Sequence, residues 1–347
     1  MGRTIERIYI EQGVADHPRT RAICRRFPRA QRIVCQRYGE VFNRKAQDFR
    51  LQKRRPALIL AEKHDHFVLG APLAYAIGGE RNFYFSHMLN CLYDCRYCFL
   101  QGMFRSAHYL VFVNYEDFQR AIDERLTEAE GEEVYFFSGY DCDSLAFEGV
   151  TRFAAEFLPF FARRPRAWLE LRTKSAQVEA LLERQALPNC VVAFSFTPEE
   201  IHAGLEHGVP SVERRVRAME RLQEGGWRVG LRFDPLIYSQ EFEAQYRRLF
   251  EVIFAAIGPP ALHSVSYGGF RLPKGYYETL FRLYPEERLF AGPLEERGGM
   301  VAFPARLERQ MFDFCAEELR RYVPTKLLYP CPSAPDASPY ADRSFDG

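Results

Sequence analysis

From about residue 80 the chain alternates short β-branched or aromatic runs with helical patterns, and this rhythm limits the folds open to it. The runs are RNFYFS (81–86), EEVYFFSG (132–139), AWLELRT (167–173), CVVAFSFT (190–197), RVGLRFDPLI (228–237) and HSVSYGGFRL (263–272). Between them lie YEDFQRAIDERL (115–126), AFEGVTRFAAEFLPFFARR (146–164), SAQVEALLERQ (175–185), SVERRVRAMERLQEGG (211–226) and EFEAQYRRLFEVIFAAIG (241–258). Strands joined by connections this long pair in parallel through right-handed crossovers. Six units are too few to close an eightfold barrel, so the expected class is α/β, a partial (β/α)6 TIM-like barrel with its ligand site at the C-terminal strand ends. Gly225-Gly226 is a helix stop ahead of the fifth run.

The flanks differ from this core. Residues 1–78 are expected as a basic N-terminal segment packed on the barrel, 79–300 as the barrel, and 301–347 as a C-terminal extension. RIYIE and PALILAEK (56–63) read as strands, residues 19–38 as an Arg-rich helix, and the Pro/Ser/Asp-rich end from about 330 as a disordered tail. Between Arg19 and Arg55 there are 13 Lys/Arg and only Glu40 and Asp48 as acids, although the whole chain is nearly neutral at +1. Two readings of that stretch stand: a face for a polyanion such as DNA, or a solvated face covering the core. The N-terminus has no signal-peptide pattern, and no run approaches the roughly 18 apolar residues of a membrane span. Nine cysteines, an odd number without an export signal, suit a reducing cytoplasm, where clustered thiols bind metal or do chemistry.

One such cluster follows the first run: SHMLNCLYDCRYCFLQGMF (86–104), with Cys91, Cys95 and Cys98. Three thiolates on one loop hold three irons of a [4Fe–4S] cube and leave the fourth iron open to a ligand. The competing reading is structural zinc with a fourth ligand such as His87. Zinc sites, however, usually pair two separated hooks, and Cys142, Cys190, Cys315 and Cys331 stand alone.

The C-x-x-x-C-x-aromatic-C pattern, with Tyr97 in the aromatic place, resembles the radical S-adenosylmethionine superfamily. That resemblance implies a cluster whose open iron chelates S-adenosylmethionine, Tyr97 against the adenine, and a 5′-deoxyadenosyl radical produced on reduction. It also implies a reducing partner such as a flavodoxin or ferredoxin. CLYDCRYCFLQ, LQKRRPALILAEK, LRTKSAQVEALL, FSFTPEEIHAGLEHG and YRRLFEVI more closely resemble the spore photoproduct lyase family, whose members reopen thymine dimers in DNA. On this resemblance Gly139, Lys174 and Ser195 would help hold S-adenosylmethionine.

The resemblance departs at the quenching residues. The family's relay tyrosine after the third cysteine is Phe99 here, and a phenyl ring has no O–H to exchange. The family's donor cysteine sits in Cys-Thr-Ser-Asp, whereas this chain reads Tyr140-Asp141-Cys142-Asp143. Cys142 from a shifted loop, Tyr140 as a phenolic donor, or a different substrate (another nucleobase or a peptide) all remain open. Asp141 and Asp143 read as turn formers or helix caps. The segment 264–285 offers Tyr267, Arg271, Lys274, Tyr276 and Tyr277 as a mouth for nucleic acid, with Gly268-Gly269 allowing close backbone approach. A zinc-containing nucleic-acid-binding protein is the reading from another class.

Overall fold

The computed structural model describes residues 5–72 and 75–332. All six expected strands form, and they lie side by side in chain order: Arg81–Phe85, Val134–Ser138, Ala167–Thr173, Cys190–Ser195, Arg228–Leu236 and Leu262–Gly269. Each pairs with the next in parallel. The second and fourth strands are buried along their whole length. Such continuous apolar runs suit parallel strands covered on both faces. Leu69–Gly70 adds an antiparallel edge before the first strand, and Leu328–Cys331 a parallel one after the sixth. The result is the open partial barrel that the alternation implied.

The helices follow the sequence less closely. Tyr115–Glu128, Val212–Glu224 and Phe242–Ala256 form where expected. The stretch 146–164 is broken in two at Arg152, which takes the left-handed conformation at φ 52°. There the Glu148 carboxylate accepts from the amides of Ala154 (2.8 Å) and Ala155 (3.1 Å), capping the second helix. Residues 175–185 yield a single turn, Glu179–Leu182.

The N-terminal flank departs most. Helix Pro18–Arg26 stops before Pro28, and Gln31–Cys35, with its β-branched Ile33-Val34, is a strand rather than the end of a helix from 19 to 38. A five-stranded sheet runs Gln31–Cys35, Arg7–Glu11, Leu58–Ala61, Tyr109–Phe112, Met88–Leu89. Because its last two strands come from beyond residue 78, the sheet crosses the expected 78/79 boundary and joins the flank to the cysteine loop. At the other end, Leu328–Cys331 pairs with the sixth strand, so the expected tail from about 330 begins inside a strand. Its remainder, 333–347, lies outside the described residues. Among the described residues no helix is long and apolar enough to cross a membrane.

A polar layer lies within the barrel. Arg232 donates to Glu170 Oε2 (2.7 Å), to Ser264 O (3.2 Å) and to Ser264 Oγ (3.0 Å), and Arg172 Nε donates to Glu170 Oε1 (2.8 Å). Gly230 makes room for this: a Cβ there would lie 2.9 Å from Arg232 Nη2. Burial alone would raise the Glu170 pKa, but Arg232 and Arg172 outweigh it and hold the carboxyl at about 2. Since the folded pKa is below the ordinary 4.5, the contribution is complete above about pH 4.5 and is lost as pH falls towards 2. Glu170→Ala strands a buried guanidinium and is expected to cost about 3–5 kcal/mol. In urea titrations it should also flatten the loss of stability between about pH 4.5 and 2; an unchanged acid limb would contradict this role.

Candidate active site

The C-terminal strand ends open into one cavity, and every residue named above as catalytic, cofactor-binding or cluster-ligating borders it, His87 of the zinc reading excepted. Cys91, Cys95, Tyr97 and Cys98 come from the loop after the first strand. Gly139, Tyr140 and Cys142 follow the second strand, Lys174 the third, and Ser195 ends the fourth. Asn90 turns the chain into the cysteine loop at φ 68°, and its amide donates to Ser106 O (2.7 Å) and His108 O (2.8 Å). The loop then coils tightly, with Cys98 N donating to Cys95 O (3.0 Å). The Tyr93 amide donates to Cys91 Sγ at 3.4 Å. Burial pushes the Cys91 thiol up to about 12 and raises Cys95 and Cys98 as well. Thiols so buried ionise against a positive partner, which iron would supply.

What fixes this loop is a buried carboxylate from elsewhere. Asp94–Cys95 pairs antiparallel with Glu206–His207, and Arg96 N donates to Leu205 O (2.8 Å). Tyr97 Oη donates to Glu206, which also meets Arg215 Nη2 (3.0 Å), His202 Nδ1 (3.0 Å) and Lys174 Nζ (3.9 Å). Arg215 Nη1 in turn donates to Ser195 O at 2.6 Å. Burial would raise the Glu206 pKa; Arg215 and Lys174 overcome it and set it at about 2. One carboxylate thus links three of the expected cofactor residues: Tyr97, Lys174 and Ser195. The sequence offered no sign of it, since a lone acid ordinarily faces solvent.

The segment after the second strand carries the residues of the departed motif. Gly139 sits at φ 79°, and a Cβ there would lie 2.5 Å from Ser144 Oγ, so glycine is required by packing. Asp143 accepts from Thr173 Oγ1 (2.6 Å) and from the amides of Lys174 (2.6 Å), Leu145 (3.0 Å) and Ala146 (2.8 Å), the turn-forming role read for it. The Tyr140 ring packs 4.3 Å from Tyr84, 5.6 Å from Tyr75 and 5.9 Å from Phe99. Cys142 is buried within the core under the N-terminal sheet, its Sγ 4.0 Å from His87 Nδ1. His87 itself stacks on Phe153, ring centres 3.9 Å apart, with its pKa lowered by burial to about 3. It does not border the cavity, contrary to its candidacy as a fourth zinc ligand.

Of the residues named for the mouth, Arg271 and Gly269 reach the cavity, together with their neighbours Phe270 and Leu272. Tyr267 packs on Phe312 (5.4 Å), Tyr277 on Phe290 (5.6 Å), and Lys274 pairs with Glu296 (2.8 Å). Gly268 and Gly269 admit Asp234 and Glu308 rather than a ligand: Cβ atoms there would meet those side chains at 3.0 and 2.6 Å. Helix Lys274–Leu283 instead braces the turn after the cysteines, where Gly102 lets it approach; a Cβ would lie 2.5 Å from Tyr276 O. Sequence reasoning missed Lys53, Tyr75, Arg172 and Asp234, which all line the cavity. Lys53 Nζ reaches Tyr93 O (3.3 Å), so one cation of the basic flank points inward. Glu206→Ala leaves Arg215 buried without its carboxylate and is expected to cost about 3–5 kcal/mol in urea unfolding. It should also lower iron uptake relative to an equally destabilised variant remote from the loop; equal uptake would remove Glu206 from loop positioning.

The family profile described as spore photoproduct lyase matches residues 82–291. Curated relatives include the spore photoproduct lyase of Bacillus subtilis (strain 168), 23% identical over 57% of this chain and 59% of that protein. That of Clostridium acetobutylicum is 20% identical over 76% of this chain and 77% of that protein. The chain thus spans about three fifths of the Bacillus protein it matches. A solved spore photoproduct lyase variant with bound AdoMet and dinucleoside spore photoproduct superposes with TM-score 0.81 at 16% identity, over 95% of this chain and 99% of that one. A spore photoproduct lyase complexed with dinucleoside spore photoproduct gives 0.80 at 17% identity, over 94% and 98%. Likeness at this identity is likeness of fold. The profile spans more than half of the chain, and this chain belongs to the spore photoproduct lyase family.

Proposed function

We propose that the protein is a radical S-adenosylmethionine lyase that repairs thymine-dimer lesions of the spore photoproduct type in DNA. The observation that carries this reading is the meeting of three thiols in the C-x-x-x-C-x-aromatic-C pattern with Gly139, Lys174 and Ser195 in one cavity. Cys91, Cys95 and Cys98 would hold a [4Fe–4S] cluster. Their fit to it rests on the shared cavity and on the backbone N–H directed at Cys91 Sγ. The cavity residues would hold S-adenosylmethionine against that cluster, which would supply one-electron reductive chemistry with an electron from a partner such as a flavodoxin or ferredoxin.

The chain's own side chains shape the rest. Buried Tyr97 and Ser195 and half-buried Lys174 line the cavity and, with the packed loop, would keep water from a reactive carbon centre. Tyr140 and Cys142 carry hydrogen atoms weak enough to be given to a carbon radical on the substrate; Phe99 carries none. The ring contacts of Tyr140 with Tyr75 and Phe99, against the place of Cys142 beneath the N-terminal sheet, favour Tyr140. The altered donor also supports a second reading, the same initiation on another nucleobase or a peptide.

Anaerobically reconstituted protein is expected to be brown, with about four irons per chain, and Cys91→Ala to lose that colour. Given reductant, S-adenosylmethionine and dinucleoside spore photoproduct, it should release the repaired dithymidine; cofactor cleavage without repair would favour the second reading. Tyr140→Phe should lower repair at least about tenfold while cofactor cleavage persists, and Cys142→Ala should leave repair largely intact. The reverse pattern would return the donor role to the thiol.

A further inference from the structure

We infer that Arg44, Lys45, Arg54, Arg55 and Arg105 form a cationic rim beside the thiol loop that grips the phosphate backbone of the DNA strand carrying the lesion. The inference rests on the lesion-repair reading and assigns a surface that takes the polymer, as distinct from the dimer in the cavity. For this part of the basic flank it selects the polyanion over the solvated face.

The rim is a built piece of structure. Residues 43–55 carry six Lys/Arg and one acid, Asp48. Ala46 takes the left-handed conformation at φ 55°, a strained one for a residue with a Cβ. Gln47 Nε2 closes that turn by donating to Phe42 O (3.0 Å) and Arg44 O (2.7 Å). Helix Phe49–Arg54 follows, capped by Asp48, which accepts from the Leu51 amide (2.8 Å). Turn and helix are both fastened to the segment that leaves the thiol loop. Gln52 Nε2 donates to Gln47 Oε1 (2.6 Å), and Gln52 Oε1 accepts from the Ala107 amide (2.8 Å) and Ser106 Oγ (3.2 Å). Phe42 packs on Phe104, ring centres 5.3 Å apart, and Arg105 Nη1 donates to Asn43 O (3.4 Å), which sets that guanidinium beside the Asn43–Arg44 peptide.

The charges on this piece are left for a partner. Arg44, Lys45, Arg54, Arg55 and Arg105 are all exposed. Among the described residues these five have no carboxylate partner, whereas Arg50 meets Glu286 (3.7 Å), and Arg19, Arg21 and Arg37 meet Glu116 (3.1 Å), Asp16 (2.6 Å) and Glu11 (3.4 Å). Like charges gathered without acids between them repel, and a polyanion relieves that repulsion while releasing its own counterions. Four of the five are arginines, whose planar fork matches a pair of phosphate oxygens. A six-residue helix is about 9 Å long, the rise of roughly three nucleotides of one strand. Lys53 belongs to the same helix, yet it is buried, borders the cavity and reaches Tyr93 O. The rim therefore stands one side chain away from the lesion pocket, where phosphates flanking a seated dimer emerge.

The test is fluorescence anisotropy of a labelled, undamaged oligonucleotide with the anaerobic, cluster-loaded full chain over a range of salt concentrations. The variant changes Arg44, Lys45, Arg54 and Arg55 to Gln; a control of equal charge changes the exposed Arg214, Arg217, Arg221 and Arg248 to Gln. With iron content and melting temperature unchanged, the rim variant is expected to bind at least about tenfold more weakly than wild type. Its plot of log K against log salt should be shallower by about 3, since each lost phosphate contact removes about 0.9. The control should stay within about threefold of wild type. Wild-type affinity and slope in the rim variant, or an equal loss in the control, would overturn the rim while leaving lesion repair standing. Unchanged DNA binding with weakened binding of an acidic flavodoxin would give the surface to a protein partner and overturn it as well. Failure of wild type to repair dinucleoside spore photoproduct would instead strike the lesion reading, whatever the rim variant does to DNA affinity.

Discussion

The Glu206 carboxylate is the constraint on which the cysteine loop depends. A loop carrying three thiols has no regular structure of its own: two of its residues form a short bridge, and that bridge needs a partner strand. The partner is Glu206–His207, and the same Glu206 accepts from Tyr97, Arg215 and His202 while facing Lys174. Taking a carboxylate and a guanidinium out of water costs several kcal/mol, recovered only when their remaining hydrogen-bonding sites are met. Here they are met by the groups a cofactor site must hold still. The expense of the buried pair thus appears as geometric definition of the loop as well as stability.

A second buried pair does the corresponding work lower in the barrel. Glu170 and Arg232 bridge the third and fifth strands, with Arg172 and Ser264 drawn in. A polar interior of this kind sets strand spacing by fixed hydrogen-bond lengths, whereas apolar packing tolerates shifts. Because Arg172 belongs both to this layer and to the cavity wall, the barrel's interior fixes the position of a group facing the ligand. One cavity wall therefore carries thiols, a lysine and a hydroxyl together with two guanidiniums, a carboxylate and tyrosine rings.

Phe99 and Tyr140, where the chain departs from the family resemblance, are not partners of Glu206. They meet Tyr75 and Tyr84 in an aromatic group, with Phe99 itself next to Cys98 on the thiol loop.

Local pattern was enough to determine the six parallel strands, their order and the cysteine loop's place after the first. Each depends on periodicity or on spacing within about ten residues, and such signals survive without knowledge of neighbours. The flank was misread where a short local cue, arginines at helical spacing, was overruled by Pro28 and by pairing with Arg7–Glu11. The same limit applies within the site. Cys91, Cys95 and Cys98 announce themselves because they share one loop, whereas Lys174 and Ser195 were named only through the family resemblance. Glu206, Arg215, Asp234 and Arg172 gave no such signal, since a charged residue becomes informative only once it is buried and paired across the chain. Arg271 was legible as a candidate, but its anchoring to Cys331, 60 residues away, was not. Sequence alone therefore determined the scaffold and the place of the cysteine loop, while the tertiary structure decided which charges leave water, because burial and long-range pairing exist only after the strands have come together.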